Sequence, residues 1–230
     1  MSVACIIPAA GRGERLGGAT PKALRQISGK TLLEHSVRAM IAAREVTSVV
    51  IAAPQESVSQ VEDILSQIAA DVPISVVVGG QSRTDSVRNA ARAIPSAEIV
   101  LVHDAARPFV PAEVVSRVIS AVRAGAPAVV PAIPVTDTIK HVDAAGRVVH
   151  TVERDELRAA QTPQGFTKTA LDQALADHQT QATDEAGLLE ELGVPVLVVA
   201  GHSESMKVTR PLDLVVAEAI LRRRQSDRMM

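Results

Sequence analysis

The sequence predicts an α/β fold in which helices cover both faces of a doubly wound, mostly parallel β-sheet. Six short runs, rich in Val, Ile and Ala, are bounded by Gly, Pro or Asp, and their near-continuous apolar character is typical of strands buried on both faces. Segments with the apolar spacing of amphipathic helices lie between these runs. Strand and helix therefore alternate along the chain, as they do in sheets built from β-α-β units.

The predicted elements follow one another with recognisable capping residues. Thr31 with Glu34, and Ser82 with Asp85, have the spacing of a capping box at the start of a helix. The end of the chain, RRRQSDRMM, has no apolar pattern, so we expect it to fray. The predicted strands are residues 3–7, 48–53, 74–78, 98–104, 128–133 and 195–200, and the predicted helices are residues 31–44, 56–69, 82–94 and 111–124.

One segment, DTIKHVDAAGRVVHTVER, departs from this alternation. Its residues alternate around a D-A-A-G turn, which predicts a β-hairpin that pairs Thr138–Val142 with Arg147–Val152. We expect residues 1–230 to form a single domain from which about residues 136–155 project as an arm. An exposed hairpin needs a cover, and a second copy of the chain would supply one, so the arm predicts a homodimer.

Composition excludes several classes of protein. The formal net charge is −2, and the chain has two Phe and no Tyr or Trp, so it lacks both the positive field and the stacking platforms of nucleic-acid binders. No apolar run approaches the ~18 residues that span a bilayer, and no signal-peptide pattern is present. We expect a cytoplasmic protein with no nucleic-acid or membrane partner, in which the single Cys5 is a buried structural thiol.

Charged residues follow the ends of several predicted strands. Because open α/β sheets bind ligands at the carboxyl ends of their strands, these side chains should meet at one edge of the sheet. Glycine-rich backbone and several cations suit a polyphosphate, and a carboxylate beside them suits Mg²⁺, which takes one or two carboxylates plus phosphate oxygens. The residues of this group are Arg15, Lys22, Arg83, Arg107 and Lys207, with Asp104 as the candidate metal ligand.

The stretch PAAGRGERLGGATPK, residues 8–22, allows three interpretations. It matches the start of a dinucleotide-binding G-x-G-x-x-G turn, but Leu16 occupies the third glycine position and Pro21 opposes a helix there. It lacks the G-K-[ST] of a P-loop, and its glycines alone would also suit a plain loop. The interpretation we favour is a third kind of phosphate loop, in which Arg15 and Lys22 supply the positive charge.

Plainer roles remain open for several of the polar residues. Asp104, Ser82 and Thr183 have the residue types of ordinary caps. A histidine at the end of an apolar run, such as His103, is more often a core residue with a hydrogen-bonded ring than a catalyst.

Seven motifs, taken together and in this order, resemble those of the 2-C-methyl-D-erythritol 4-phosphate cytidylyltransferases of the non-mevalonate isoprenoid pathway. The resemblance extends from about Val3 to Ile220, and it implies a Rossmann-like nucleotidyltransferase fold. It also implies transfer of a cytidylyl group from CTP to methylerythritol phosphate with release of pyrophosphate, with Mg²⁺ as cofactor. The motifs are PAAGxGxR-L…PK, GGxxRxDSV, VLVHDAARPF, DTIK, QTPQ-F, TDEA and MKVTRPLDL.

The resemblance also implies roles for individual residues. Arg15, Lys22 and Lys207 are the expected catalytic cations, and Asp104 is expected near the ribose and the Mg²⁺. Thr138 and Arg154 are expected to reach the site of the neighbouring subunit. The other expected nucleotide-binding residues are Pro8, Ala9, Ala10, Gly11, Gly13, Gly80, Gln81, Ser86 and Ala105, and the substrate-binding residues are Arg107, Thr138, Arg154, Thr162 and Thr183.

Two alternatives to this activity stay open at the level of sequence. A pentitol-phosphate cytidylyltransferase, acting for example on ribitol 5-phosphate, shares the loop and the lysine motif, although such enzymes tend to differ at the position of Ala106. A nucleotide-sensing domain without activity would be expected to lack Lys22 or Lys207, and both are present. Gln81 replaces an acidic residue found in some members of the family, which puts that one cytosine contact in doubt.

Overall fold

The structure, a computed structural model, describes residues 2–10, 21–94, 96–176 and 183–227. The β-strands are β1 (Val3–Pro8), β2 (Gln26–Ile27), β3 (Lys30–Thr31), β4 (Ser48–Ala53), β5 (Ile74–Val78), β6 (Ile99–Val102), β7 (Ala128–Pro134), β8 (Lys140–Val142), β9 (Val148–Thr151), β10 (Arg158–Ala160), β11 (Gln164–Thr167) and β12 (Val196–Ala200). The α-helices are α1 (Leu32–Ile41), α2 (Val58–Ser66), α3 (Arg83–Arg92), α4 (Ala112–Arg123), α5 (Lys168–Ala176), α6 (Glu185–Glu191) and α7 (Pro211–Asp227).

Within the described residues the main sheet has eight strands, in the order β10-β7-β11-β6-β1-β4-β5, with β12 also paired to β7. Strands β1, β4, β5 and β6 are parallel neighbours, and β12 runs parallel to β7. Strand β11 is antiparallel to both β6 and β7, and β10 is antiparallel to β7. The predicted doubly wound, mostly parallel α/β fold is confirmed.

Apolar side chains form a separate core on each face of the sheet. One core packs α1, α2 and α4 against the sheet, and the other packs α3, α5 and α6. A third, smaller cluster places Phe109 and Val208 under α7. Cys5 is fully buried in β1, and burial raises the pKa of its thiol, in agreement with the predicted structural role.

The strand order reverses between β1 and β6. From β1 the chain builds outward through β4 to β5, and from β6 it builds the other way, to β7 and β12. A crevice forms outside the carboxyl ends of the strands at such a reversal, and ligands of doubly wound sheets bind there. The residues that follow Pro8 and Val102 therefore border the expected binding site.

The predicted hairpin is present as β8 and β9. Their connecting turn is held by the Asp143 carboxylate, which accepts hydrogen bonds from the backbone N–H groups of Ala145 and Arg147, both at 2.9 Å. Two apolar residues of the hairpin, Val148 and Val149, are 59% and 58% exposed, so the arm is uncovered in the single chain.

The sequence predicts that residues 222–230 fray. This prediction is wrong for residues 222–227, because α7 continues to Asp227. Arg223 and Arg224 form ion pairs with Glu204, and the Arg224 guanidinium also donates to the Phe109 carbonyl at 2.8 Å. Charged contacts, rather than an apolar stripe, hold this end of the helix. None of the described helices has both the length and the apolar character needed to cross a bilayer.

Candidate active site

Three strand ends meet at the crevice between β1 and β6. Backbone hydrogen bonds continue the sheet beyond each strand: Ala9 N–H donates to Ala52 O at 2.8 Å, Gly79 N–H to Ala53 O at 2.7 Å, and His103 N–H to Ile6 O at 2.8 Å. The loops that carry the predicted nucleotide-binding residues therefore leave the sheet from fixed positions.

Asp104 is the centre of a charged cluster at this edge. Its carboxylate lies 2.7 Å from the Lys207 ammonium and 3.2 Å from Nε of Arg83, and the residue is 9% exposed. Burial opposes ionisation of this carboxyl, but the Arg83 and Lys207 charges outweigh it and lower its pKa. The structure thus brings together Asp104 and Lys207, as the strand-end pattern predicts, and keeps Asp104 ionised at neutral pH.

Arg83 connects this cluster to α6. Its Nη1 donates to both carboxylate oxygens of the fully buried Glu185 at 2.7 Å, while its Nε faces Asp104. Burial opposes the charge on Arg83, but the two carboxylates outweigh it and raise the guanidinium pKa. Glu185 was not predicted as a site residue. Its only signal in the sequence is its place in the TDEA motif, because no local pattern shows that it meets Arg83.

Arg107 is held by neutral acceptors. Its guanidinium donates to Ser205 O at 2.7 Å and to Ala160 O at 3.2 Å, and within the described residues no carboxylate forms an ion pair with it. Burial lowers its pKa, and the nearby Asp104 charge partly opposes that effect. Such a fixed cation without a directly paired carboxylate suits an anionic ligand.

The turn after β5 is built on glycine. Gly80 N–H donates to the Ser86 hydroxyl at 3.0 Å, and that hydroxyl donates to Ser82 O at 2.9 Å. A Cβ on Gly80 would lie 2.2 Å from the Asp85 Cβ, and one on Gly79 would lie 2.9 Å from the Ala10 Cβ. The Ser82–Asp85 capping box is confirmed. A side chain at Gly80 would overlap Asp85 of this box, and a side chain at Gly79 would overlap Ala10, which follows β1.

Thr162 and His103 form a buried pair behind Asp104. The Thr162 hydroxyl accepts the Asp104 backbone N–H at 3.0 Å and lies 3.0 Å from His103 Nδ1. The other ring nitrogen, Nε2, lies 3.2 Å from Arg107 O. His103 is fully buried, and this burial lowers its pKa to about 4, so the ring is neutral near pH 7.

Several of the remaining predicted residues lie at the surface of the single chain. Thr138 and Arg154 are exposed at the base of the arm, where Arg154 donates to Thr136 O at 2.8 Å. Thr183 is exposed next to Asp184, which is the actual N-cap of α6, so the plain capping role for Thr183 is wrong. Lys22 opens a short 3-10 turn (Lys22–Leu24), Gln81 is exposed, and Gly11, Gly13 and Arg15 lie outside the described residues.

Among the described residues, Asp104 is the carboxylate that this site offers a metal ion. Within the described residues no group of three or more His, Cys, Asp or Glu side chains is placed to bind a metal. Mg²⁺ keeps waters and takes most of its other ligands from substrate phosphates, so one ionised carboxylate at a nucleotide site suits it.

Comparison with known proteins shows the family of the chain. The sequence model of the 2-C-methyl-D-erythritol 4-phosphate cytidylyltransferase (IspD) family matches residues 3–223. The chain belongs to this family. Among curated cytidylyltransferases of that name, it is 52% identical to that of Frankia casuarinae over 96% of this chain and 82% of the relative. It is 51% identical to that of Streptomyces avermitilis over 96% of this chain and 92% of the relative.

Solved structures agree with the sequence comparison. The synthase from Anaerococcus prevotii, titled 4-diphosphocytidyl-2C-methyl-D-erythritol synthase, superposes with a TM-score of 0.84 at 29% identity and covers 96% of this chain and 98% of its own. The cytidylyltransferase from Thermus thermophilus superposes with a TM-score of 0.78 at 36% identity and covers 96% and 100%.

The chain is therefore a cytidylyltransferase that joins CTP and 2-C-methyl-D-erythritol 4-phosphate to give 4-diphosphocytidyl-2-C-methyl-D-erythritol and pyrophosphate. The resemblance found in the motifs is confirmed over nearly the whole chain. The pentitol-phosphate alternative is not favoured.

Proposed function

We propose that the cluster around Asp104 binds the nucleotide at the crevice between β1 and β6. The observation that carries this proposal is the 2.7 Å contact between Lys207 and Asp104, since it places a cation and a carboxylate together at the reversal of strand order. Lys207 contacts the α-phosphate, and Asp104 and Ala105 lie beside the ribose. Arg15 and Lys22 hold the triphosphate. The residues at the nucleoside and its phosphates are Pro8, Ala9, Ala10, Gly11 and Gly13, and those at the cytosine are Gly80, Gln81 and Ser86.

The reaction needs alignment and charge rather than a covalent intermediate. A phosphate oxygen of methylerythritol phosphate attacks the α-phosphorus of CTP in line, the bond from that phosphorus to the β-phosphate oxygen breaks, and pyrophosphate leaves. Negative charge builds on the α-phosphate oxygens in the transition state. Lys207, Arg15 and Lys22 stabilise that charge, and each such contact is worth about 2–4 kcal/mol.

We propose Asp104 as the protein ligand of Mg²⁺. The ion, when bound, neutralises phosphate charge and polarises the phosphoryl oxygens. The Arg83 guanidinium donates through Nε to the Asp104 carboxylate. Glu185 in turn fixes Arg83 by accepting two hydrogen bonds of 2.7 Å from its Nη1. This ion-pair chain keeps the carboxylate ionised and oriented before the nucleotide arrives.

The methylerythritol phosphate lies on the other side of the turn after β6. Arg107 is its principal cation, because neutral carbonyls hold the guanidinium without cancelling its charge. Thr162 shapes the pocket from below, and Thr183 borders it near α6. Both substrates are charged metabolites, and the cytoplasm is where we propose that the enzyme acts.

Removing the Lys207 charge tests the nucleotide site. Lys207→Ala should lower kcat by on the order of 10²-fold or more, the effect of losing one charged group that stabilises the transition state. Lys168→Ala is the matched control, because Lys168 pairs with Asp172 at 2.6 Å on α5, a helix that packs on the sheet away from the Asp104 cluster. Steady-state pyrophosphate release measures both variants. Loss of less than about twofold in Lys207→Ala would contradict the proposed role.

We further propose that the arm makes a homodimer in which Thr138 and Arg154 serve the partner's site. Three observations support this: the valines of the arm are exposed, Leu197 and Val198 of β12 are 48% and 50% exposed, and Arg154 is exposed at the base of the arm, where it donates to Thr136 O. A two-fold interface that covers the arms would bury these side chains.

Mixed dimers test whether the site is shared. Lys22→Ala and Arg154→Ala are each expected to be inactive alone. After subunit exchange, a mixed dimer carries one site with both residues intact, so about a quarter of wild-type activity should return in a one-to-one mixture. Native mass spectrometry verifies that mixed dimers form. If they form and remain inactive, the trans arrangement is wrong.

A further inference from the structure

We propose that His103 is a positioning residue that couples the two substrate subsites, with one ring nitrogen for each. The inference rests on the proposed roles of Asp104 in nucleotide binding and of Arg107 in binding methylerythritol phosphate. It concerns a histidine that touches neither substrate and lies below the turn that carries both residues.

The ring reaches both residues by short hydrogen bonds. His103 Nδ1 lies 3.0 Å from the Thr162 hydroxyl, which also accepts the Asp104 backbone N–H at 3.0 Å. His103 Nε2 lies 3.2 Å from Arg107 O. Arg107 N–H donates to Asp104 O at 3.0 Å, so the turn from Asp104 to Arg107 is closed by its own backbone and then tied at both ends to one ring.

The acceptors around the ring determine its tautomer. A backbone carbonyl only accepts hydrogen bonds, so Nε2 must carry the proton that it donates to Arg107 O. In a neutral ring Nδ1 is then an acceptor, and the Thr162 hydroxyl must donate to it. The hydrogen bonds therefore run in one direction, from the Asp104 N–H to Thr162, from Thr162 to Nδ1, and from Nε2–H to Arg107 O.

This direction gives Thr162 a different part in the site. Its single hydroxyl hydrogen is used by His103, so Thr162 cannot donate a hydrogen bond to the substrate while this chain is intact. The hydroxyl instead fixes the backbone at Asp104. Because each ring nitrogen holds a different substrate-binding residue, loss of one ring contact should weaken one substrate more than the other.

Two substitutions separate the two nitrogens. In His103→Asn the amide oxygen takes the place of Nδ1 and still accepts from Thr162, while the contact with Arg107 O is lost. In His103→Gln the amide nitrogen takes the place of Nε2 and still donates to Arg107 O, while Thr162 loses its acceptor. His103→Asn should raise the KM for methylerythritol phosphate about tenfold and His103→Gln the KM for CTP about tenfold, the effect of losing one hydrogen bond.

His35 provides the matched control. It is the other buried histidine of the described part whose Nε2 faces a carbonyl, that of Ile27 at 3.0 Å, and it packs edge-on against Phe109 rather than against the cluster. His35→Asn and His35→Gln should lower the unfolding temperature and leave the two KM values in their wild-type ratio. A purely structural role for His103 predicts that same behaviour for its own variants.

The tautomer is measurable without any substitution. Nitrogen-15 NMR of the wild-type chain with labelled histidine should show His103 as a neutral ring protonated at Nε2 with Nδ1 unprotonated. A ring protonated at Nδ1 would overturn the hydrogen-bond direction, and equal increases of both KM values in both variants would overturn the coupling. Neither result bears on the proposed nucleotide site itself, which fails separately if Lys207→Ala leaves kcat nearly unchanged.

Discussion

At the scale of single residues, buried hydroxyl groups of the candidate site link separate segments of backbone by hydrogen bonds. Ser86 is an example: its hydroxyl donates to Ser82 O and accepts from Gly80 N–H, so it links the first turn of α3 to the glycine turn after β5. It is fully buried, which makes the loss of either contact costly. We infer that Ser86 acts on the cytosine pocket by holding the shape of the Gly80 turn.

Ser86→Ala should therefore weaken CTP binding. The Gly80 N–H loses its acceptor, and one unpaired buried group costs about 1–3 kcal/mol, which corresponds to a KM for CTP that rises about tenfold or more. Ser66→Ala is the control, because the Ser66 hydroxyl makes one exposed contact, with Asp63 O at 2.7 Å, at the end of α2. Initial rates over a range of CTP concentrations measure the effect. An unchanged KM would show that the turn does not need Ser86.

Single site residues could be predicted from the sequence where they follow a recognisable strand. Asp104 and Lys207 could be brought together from sequence, because each lies near the end of a strand-like run and such ends meet at one edge. Glu185 and the Thr162–His103 pair could not. Glu185 lies at the start of a helix and Thr162 lies before β11, whose sequence has no strand pattern, so the rule that strand ends meet at one edge does not apply to either contact.

At the scale of elements, the parallel strands of the main sheet and the hairpin of the arm could be predicted, but the short antiparallel strands β10 and β11 of the main sheet could not. Residues 48–53 and 74–78 are strands with the predicted bounds, because both are short runs rich in β-branched residues. Strand β11 has the sequence QGFT, which carries no such pattern, yet it lies between β6 and β7. This strand packs closely under α4, because a Cβ on Gly165 would lie 2.4 Å from the Val118 Cγ1 of that helix.

Gly165→Ala should destabilise the fold by this overlap. Overpacking of a buried contact costs about 1–3 kcal/mol of unfolding free energy. Val118→Ala removes the atom that obstructs the new methyl group, so the double variant should lose less stability than the sum of the two single variants, with a coupling of about 0.5–3 kcal/mol. Urea unfolding of the four proteins measures this cycle. Strict additivity would mean that Gly165 does not make room for α4.

At the scale of the whole molecule, the site lies where the strand order reverses and where elements distant in sequence converge. In the proposed site the loops after β1, β5 and β6 serve the nucleotide, and the segment before α7 carries Lys207 to the Asp104 carboxylate. Helix α7 is held to the core through the Glu204 ion pairs and Phe109, so the loop that carries Lys207 is anchored directly before and after the lysine. The valines of the arm are exposed in the single chain, and the proposed dimer covers them.

The most direct measurement is a side-by-side assay of the purified chain with Mg²⁺ and CTP, in which pyrophosphate release is followed with either methylerythritol phosphate or ribitol 5-phosphate as the acceptor. The charged site beside Asp104, together with the family match, predicts rapid release with methylerythritol phosphate and a much lower kcat/KM with ribitol 5-phosphate. Preference for ribitol 5-phosphate, or no pyrophosphate with either acceptor, would contradict the assigned activity.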